Sequence, residues 1–298
     1  MIDFKPVSLE DKALYESYLL DGKERGCEYA FANLYLWGQQ NGAIYKDHLV
    51  LFSRFGDFTV YPYPVGKGDK KEIIDALMED AKERGIPFRM SGMCEESSQG
   101  LEETYPGVFE FWYDRDFHDY VYDINNLADL AGRKYHRKKN HYNRFQKLYP
   151  GYKLEELNET NFPAVFEMVN NWYQDKKAKN PEEDYEMEQK AMIQALWEYE
   201  KLGFETLVLS HKGEILAVTL GSRITQTTFG VHFEKAKGEI DGAYTTITSE
   251  FAKRIRAKYP EILYMNREED MGVEGLRKSK ESYYPHHMIE KCRARIKE

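Results

Sequence analysis

The chain has 298 residues, with 42 Lys/Arg against 51 Asp/Glu and a net charge of −9. Hydrophobic residues make up 42% and charged residues 31%. That composition fits a soluble globular protein of two domains or one large one, and excludes collagen, a disordered tail and a disulfide-built miniprotein. Aromatic residues reach 14%, which suits both cores and ligand clefts.

No apolar run approaches the ~20 residues of a membrane span. The N-terminus has no basic stretch followed by an apolar one, so no secretory signal is expected. Cys27, Cys94 and Cys292 are odd in number and far apart, and are expected as free thiols in a reducing cytoplasm. With no Cys-x-x-Cys pair and no His-Glu-x-x-His pattern, no metal site is expected.

Residues 2–7 read as a strand, followed by a helix capped at Ser8 with Asp11 three residues on. A second helix is expected over 28–40. Short strands follow at 43–46, 49–53 and 58–61, the first pair turned by Lys46-Asp47. Residues 70–84 carry apolar side chains at 73, 74, 77, 78 and 81, a helical stripe with Asp69 as N-cap and Gly85 as stop. A strand is expected at 86–90. The same order returns later: strand 152–157, helices 161–174 and 184–202, and strands 205–210, 214–224 and 227–234 with a turn at His211-Lys212-Gly213. Helix 243–258 and strand 262–265 come next, then helix 273–281. Residues 288–297 read as a surface helix. Trp172, Tyr173 and Trp197 are expected in the core, and His286 and His287 on the surface.

The halves align by eye: Phe4-Lys5 with Tyr152-Lys153, Met90 with Met265, Tyr105-Pro106 with Tyr284-Pro285. The shared order argues for a duplicated, mixed α+β and α/β fold. The expected divisions are 1–125, a basic connecting helix at 126–150, and 151–298. One irregular α/β domain is the alternative. Strand, helices, three-strand meander, helix, strand is also the order of the acyl-CoA N-acyltransferase (GNAT) fold, here in tandem, though fold does not fix chemistry.

Residues 132–147 hold seven Lys/Arg and no carboxylate in an acidic chain. At about 100° per residue, Arg133, Arg137, Asn140, Arg144 and Lys147 fall within roughly 80° of one another. Tyr135 and Tyr142 lie opposite. Arginine forks grip phosphate oxygens and lysine adds point charge. One reading is an anion site for tRNA phosphates, a CoA pyrophosphate or a lipid headgroup. The other is a solvated helix paired with acidic neighbours.

After the strand at 262–265 come Asn266, Arg267, Glu268, Glu269, Asp270, Met271 and Gly272. Ligands in open αβ sheets sit at the carboxyl ends of strands. Arg267, Arg277 and Lys280 are candidates to hold an anion. Glu268 or Asp270 is the candidate base, and Tyr283 the donor to a leaving oxygen or thiolate. A surface loop with a capped helix is the alternative.

This run, with Glu274 to Lys278, Lys280 and Ser282-Tyr283-Tyr284-Pro285, resembles the closing motif of the phosphatidylglycerol lysyltransferase C-terminal domain family. Lys138-Lys139-Asn140-His141-Tyr142-Asn143 with Phe145 resembles that family's internal Lys-Arg-Asn-His motif, although Lys139 stands where the family has Arg. Met271 and Ser279 also depart from its pattern. The resemblance implies a tandem acyltransferase-type fold, like the non-ribosomal peptidyltransferases that use aminoacyl-tRNA. Better-known members move an aminoacyl group from tRNA to a lipid and carry a membrane-spanning part ahead of this domain. The expectation here is a chain without that part. A soluble peptide, protein or amino compound then serves as acceptor as well as a peripheral membrane lipid.

An acyl-CoA pyrophosphate loop cradles phosphate on backbone N–H groups at a helix N-terminus. The second half has Gly238 and Gly242 there, with Glu239 and Asp241 opposing an anion. The first half has Gly66-Lys67-Gly68, which is also a common turn. Gly66, Gly68 and Gly242 are the cofactor-binding candidates. The leading expectation is an aminoacyltransferase using tRNA or another phosphate-bearing donor, with no cofactor required. Arg133, Arg137, Lys138, Lys139, Asn140 and Arg144 would guide the donor, and Asn266, Arg267, Arg277 and Lys280 would fix it. An acyl-CoA-dependent N-acyltransferase and a non-catalytic tRNA- or polyphosphate-binding module are the alternatives.

Overall fold

The computed structural model describes the whole chain except Gly22, Glu24, Gln39 and Glu298. The chain divides into two compact units. The first comprises Met1–Asp119, Glu269–Arg277 and Met288–Glu298; the second comprises Tyr120–Glu268 and Lys278–His287.

The first unit begins with β1 (Lys5–Pro6), α1 (Lys12–Leu19) and α2 (Phe31–Leu36). The helix expected over 28–40 is shorter than that. A 3-10 turn at Cys27–Tyr29 precedes α2, and Gln39 lies outside the described residues. Gly38, at φ +64°, ends the helical stretch, and the chain is already in strand at Gln40. β2 (Gln40–Tyr45) and β3 (His48–Phe55) are joined through Lys46 and Asp47, both at positive φ, the geometry that matches strand twist in a two-residue hairpin. β4 (Phe58–Pro62) and β5 (Val65–Gly66) follow.

α3 (Lys70–Arg84) forms as its sequence dictates: the Asp69 carboxylate accepts from Lys71 N–H, and Gly85 closes the helix at φ +67°. β6 (Arg89–Met93), α4 (Glu95–Thr104) and β7 (Phe109–Tyr113) complete this run. The last described residues return to this unit as a strand. Cys292–Ile296 lies antiparallel between β6 and β7. The surface helix expected at 288–297 is therefore absent. Cys292 and Ala294 are fully buried while Arg293 and Arg295 alternate with them, a period of two. They join Val50, Tyr61, Ile73, Leu77, Met90 and Phe109 in one core.

The second unit takes β8 (Asp119–Asp123) from the chain's crossing, then α5 (Ile124–Asp129), α6 (His136–Leu148) and β9 (Lys153–Glu155). α7 (Phe162–Lys179) and α8 (Glu186–Leu202) precede the meander β10 (Glu205–His211), β11 (Glu214–Arg223) and β12 (Thr228–Ala236). Then come α9 (Ala243–Lys258) and β13 (Tyr264–Asn266); α10 (Glu274–Glu281) and β14 (His287–Ile289) each have residues in both units, and β15 (Cys292–Ile296) belongs to the first. The sheet order is β14-β8-β13-β12-β11-β10-β9. Tyr173 is buried as expected. Trp197 is not: it is 65% exposed, its ring 4.6 Å from Phe162. Cys27, Cys94 and Cys292 are free thiols. Among the described residues no helix is long and apolar enough to cross a membrane.

Two features of the second sheet matter for chemistry. β12 pairs parallel to β13 only from Thr228↔Tyr264 to Gly230↔Asn266, whereas β12 runs on to Ala236. β12 also carries a bulge: Val231 faces Gly221 and Phe233 faces Leu220, leaving His232 as the extra residue. The strands part just where polar side chains begin.

Candidate functional site

The parted ends of β12 and β13 supply Glu234 and Arg267. Arg267 Nη2 donates to Glu234 Oε1 at 2.9 Å, and Thr248 of α9 donates to the same oxygen. Both charged side chains are nearly covered, at 12% and 7% exposure. Arg267 Nη1 and Glu234 Oε2 are buried with no hydrogen-bond partner among the described residues. Burial works against the Arg267 charge, but Glu234 and the phenol groups of Tyr122 and Tyr283 outweigh it and raise the group above its ordinary value.

Tyr283 joins two sequence-distant segments. Lys138 of α6 places Nζ 3.8 Å from the Tyr283 ring centre, and the Arg267 guanidinium lies 5.0 Å from the same centre. Cations over a ring face are held by its quadrupole. Burial, then the positive Arg267 and Arg137, pull Lys138 down to about 8. Burial raises the Tyr283 phenol, so it keeps its proton, and its hydroxyl donates to Thr245 at 3.4 Å. Lys280 donates to the Arg267 carbonyl at 2.6 Å, which fixes the loop. Asn266 is buried, and its Oδ1 accepts from Glu268 N–H at 2.7 Å. Glu268 itself accepts from His232 Nδ1 at 2.9 Å.

Arg133, in the 3-10 turn before α6, and Arg137, Asn140 and Arg144 on α6 are exposed, and Lys138 and Lys139 are half-buried. Arg133 and Arg137 form no ion pair among the described residues. Lys139 donates to the Asp129 carbonyl at 3.3 Å. Arg144 lies 3.0 Å from Asp241, which also bonds His141 at 2.8 Å. Tyr142 and Phe145 anchor the opposite face in the core.

The glycine candidates have packing roles. A Cβ on Gly66 would stand 2.5 Å from the Asp47 carbonyl, and one on Gly68 would stand 2.6 Å from His48 Cε1. Gly242, at φ +84°, caps α9 and lets α6 approach: a Cβ there would collide with the His141 carbonyl and stand 2.9 Å from Phe145 Cβ. Gly242→Ala is therefore expected to cost more than about 1 kcal/mol, read by thermal denaturation, because both space and φ oppose a side chain.

Glu269–Arg277 of the tail motif lies in the first unit. Arg277 clamps Asp270 through Nε and Nη2, both at 2.8 Å, and reaches Asp116 at 2.6 Å. Asp270 is fully buried. Sequence reasoning missed Lys291, whose ammonium lies 2.7–2.9 Å from Asp119, Glu28 and Glu269. Cys27, Asp119 and Glu269 have metal-ligand spacing, but the Lys291 ammonium already supplies the cation their carboxylates face. Sequence reasoning also missed Glu234, whose value comes from the strand parting, and His232, whose value comes from the bulge.

The strand–helix–meander–helix–strand order, met twice, and the parting of strands in the second sheet define a tandem GNAT-like protein. The family model described as "Phosphatidylglycerol lysyltransferase, C-terminal" matches residues 21–295, and the chain belongs to that family. No curated protein matches the chain. Among solved structures, a conserved protein of unknown function from Bacteroides thetaiotaomicron is 38% identical, with full coverage of both chains and a TM-score of 0.94. The L-PGS of Bacillus licheniformis is similar at 14% identity, covering 99% of this chain and 94% of that one, TM-score 0.71. FemX is similar at 10% identity, covering 99% and 98%, TM-score 0.63. The last two likenesses are of fold.

Proposed function

We propose that this chain is an aminoacyltransferase that moves an aminoacyl group from aminoacyl-tRNA to an amine or hydroxyl. The observation that carries the reading is the convergence of Lys138 and Arg267 on Tyr283. Two cations with one carboxylate, and a buried guanidinium nitrogen left without a partner, make a place for negative charge. Membership of a lysyltransferase family supplies the reaction class.

In this reading Lys138 and Arg267 hold the donor's anionic end and the oxygen on which charge develops during attack. Tyr283, protonated, turns its hydroxyl from the long 3.4 Å bond to Thr245 to donate to the departing ribose oxygen. The new bond joins the acceptor nitrogen or oxygen to the acyl carbon, and the ester C–O bond breaks. Transfer from an activated ester is downhill, so positioning and charge stabilisation carry the catalysis. Lys280 acts by positioning Arg267 through its carbonyl. The bonds from Arg277 give Asp270 a structural part. Acyl-CoA finds less support, because Asp241 brings a carboxylate to the start of α9 and Gly66 and Gly68 are packed against other residues.

The test is to mix the protein with tRNA carrying a labelled amino acid and with lipid, peptide and small-amine acceptors. Label moving to an acceptor supports the reading; unchanged deacylation with every acceptor opposes it. The exposed Arg133 and Arg137 are expected to touch phosphates. Changing both to Ala should flatten the dependence of log K on log salt by about 1–2, measured by tRNA binding at several salt concentrations.

A further inference from the structure

We propose that Ser222, His232 and Glu268 form a nucleophilic site at which Ser222 takes an acyl group from an activated carboxylic ester as a covalent seryl ester. Ser222 Oγ lies 2.8 Å from His232 Nε2, and His232 Nδ1 lies 2.9 Å from Glu268 Oε1. The carboxylate accepts only, so the proton of the neutral ring sits on Nδ1. Nε2 then offers its lone pair to the Ser222 hydroxyl. A nucleophile, a base and a group that orients the base stand in line, which is how a weak hydroxyl is activated.

Three features aim this line. His232 is the bulged residue of β12, and a bulge redirects a side chain. Glu268 stands at φ +61°, sparsely populated for a residue with a side chain, and the Asn266 carboxamide holds it there. Gly230, paired with Ser222, leaves room for the ring: a Cβ there would stand 3.1 Å from His232 Cε1. The imidazole is fully buried and packs 5.5 Å from Phe204, whereas Ser222 keeps part of its surface open. The base is shielded, whereas Glu268 and Ser222 each keep part of their surface open. The ends of β12 and β13 that carry His232 and Glu268 also supply Glu234 and Arg267, so the base, its orienter and the anion-holding pair share a scaffold.

In the step, Ser222 Oγ bonds to the acyl carbon and its proton passes to His232 Nε2. The ester C–O bond breaks, and the departing alkoxide takes that proton. An acceptor amine, hydroxyl or water then attacks the seryl ester by the reverse route and regenerates Ser222. That the natural ester is aminoacyl-tRNA rests on the reading proposed above; the nucleophile does not.

The first experiment treats the full chain with diisopropyl fluorophosphate and locates the adduct by intact mass and peptide mapping. One diisopropylphosphoryl group on Ser222 is expected, absent from Ser222→Ala and from heat-unfolded protein. His232→Gln should slow labelling by about 100-fold. If that variant does not fold, Glu268→Gln, with about 10-fold or more slowing, replaces it. No adduct on Ser222 of folded protein, or equal labelling rates in the folded variants, overturns the proposal. The second experiment uses tRNA carrying a labelled amino acid. Label on Ser222, released by hydroxylamine, supports the proposal. Fluorophosphate labelling without aminoacyl labelling supports the nucleophile and counts against the aminoacyl donor alone. Transfer by Ser222→Ala at the wild-type rate overturns the nucleophile and leaves the aminoacyl reading standing.

Discussion

Arg267→Met is expected to lower unfolding free energy by about 3–5 kcal/mol, the usual penalty for breaking a covered ion pair. The guanidinium is 12% exposed and its partner Glu234 is 7% exposed. Without Arg267, the Glu234 carboxylate keeps only the Thr248 hydroxyl bond on Oε1, and Oε2 is already unpartnered. A buried charge left this way costs more than the pair itself contributes. The double variant Arg267→Met with Glu234→Gln should recover at least half of the loss, because it removes the stranded charge as well. Urea denaturation of the two variants checks this. A loss below about 1 kcal/mol for Arg267→Met would mean that water reaches the pair freely.

Lys291→Met should cost a similar amount, about 3–5 kcal/mol, by the same mechanism in the first unit. One ammonium, 9% exposed, is the shared cationic partner of Asp119, Glu28 and Glu269, and Asp119 is fully buried. The penalty should depend on pH. Burial raises Glu269 to about 7, with Lys291 pulling it down and Asp119 and Glu28 pushing it up. A carboxyl raised on folding stabilises fully below its unfolded value of 4.5, and that contribution is lost as the pH rises through about 7. Without Lys291 the group rises further, and the loss extends to higher pH. Lys291→Met should therefore be more damaging at pH 8 than at pH 5. Equal penalties at both values would show that Glu269 does not take part.

Much of the local structure was legible because its causes are local. Asp69 and Gly85 bound α3 as capping chemistry requires, and α9 spans the expected residues 243–258. The turns at Lys46-Asp47 and Lys212-Gly213 adopt positive φ. The C-terminal segment was misread because Met288, Ile289 and Cys292 also fit a helical stripe. Its strand identity comes from β6 and β7, about two hundred residues earlier, which no local pattern reports. Trp197 was misplaced because helical spacing gives a face, not whether anything covers it.

The site divides along the same line. The basic segment and the tail motif stand out by composition, and the structure brings Lys138, Arg267 and Tyr283 of those segments together. It does not bring Asp270 and Arg277 into that cluster's bonds; they pair with each other. Glu234, His232 and Ser222 sit in ordinary strand sequence. Their chemistry arises from the bulge and from where strand pairing ends, both set by register.

The most direct measurement is single-turnover transfer of a labelled aminoacyl group from tRNA by Lys138→Met, with circular dichroism confirming the fold. Lys138 is only half-buried, so the variant should fold. A fall of about 100-fold, near 2.7 kcal/mol of lost transition-state stabilisation, is expected. Transfer at the wild-type rate would contradict the claim that the cations over Tyr283 hold the donor.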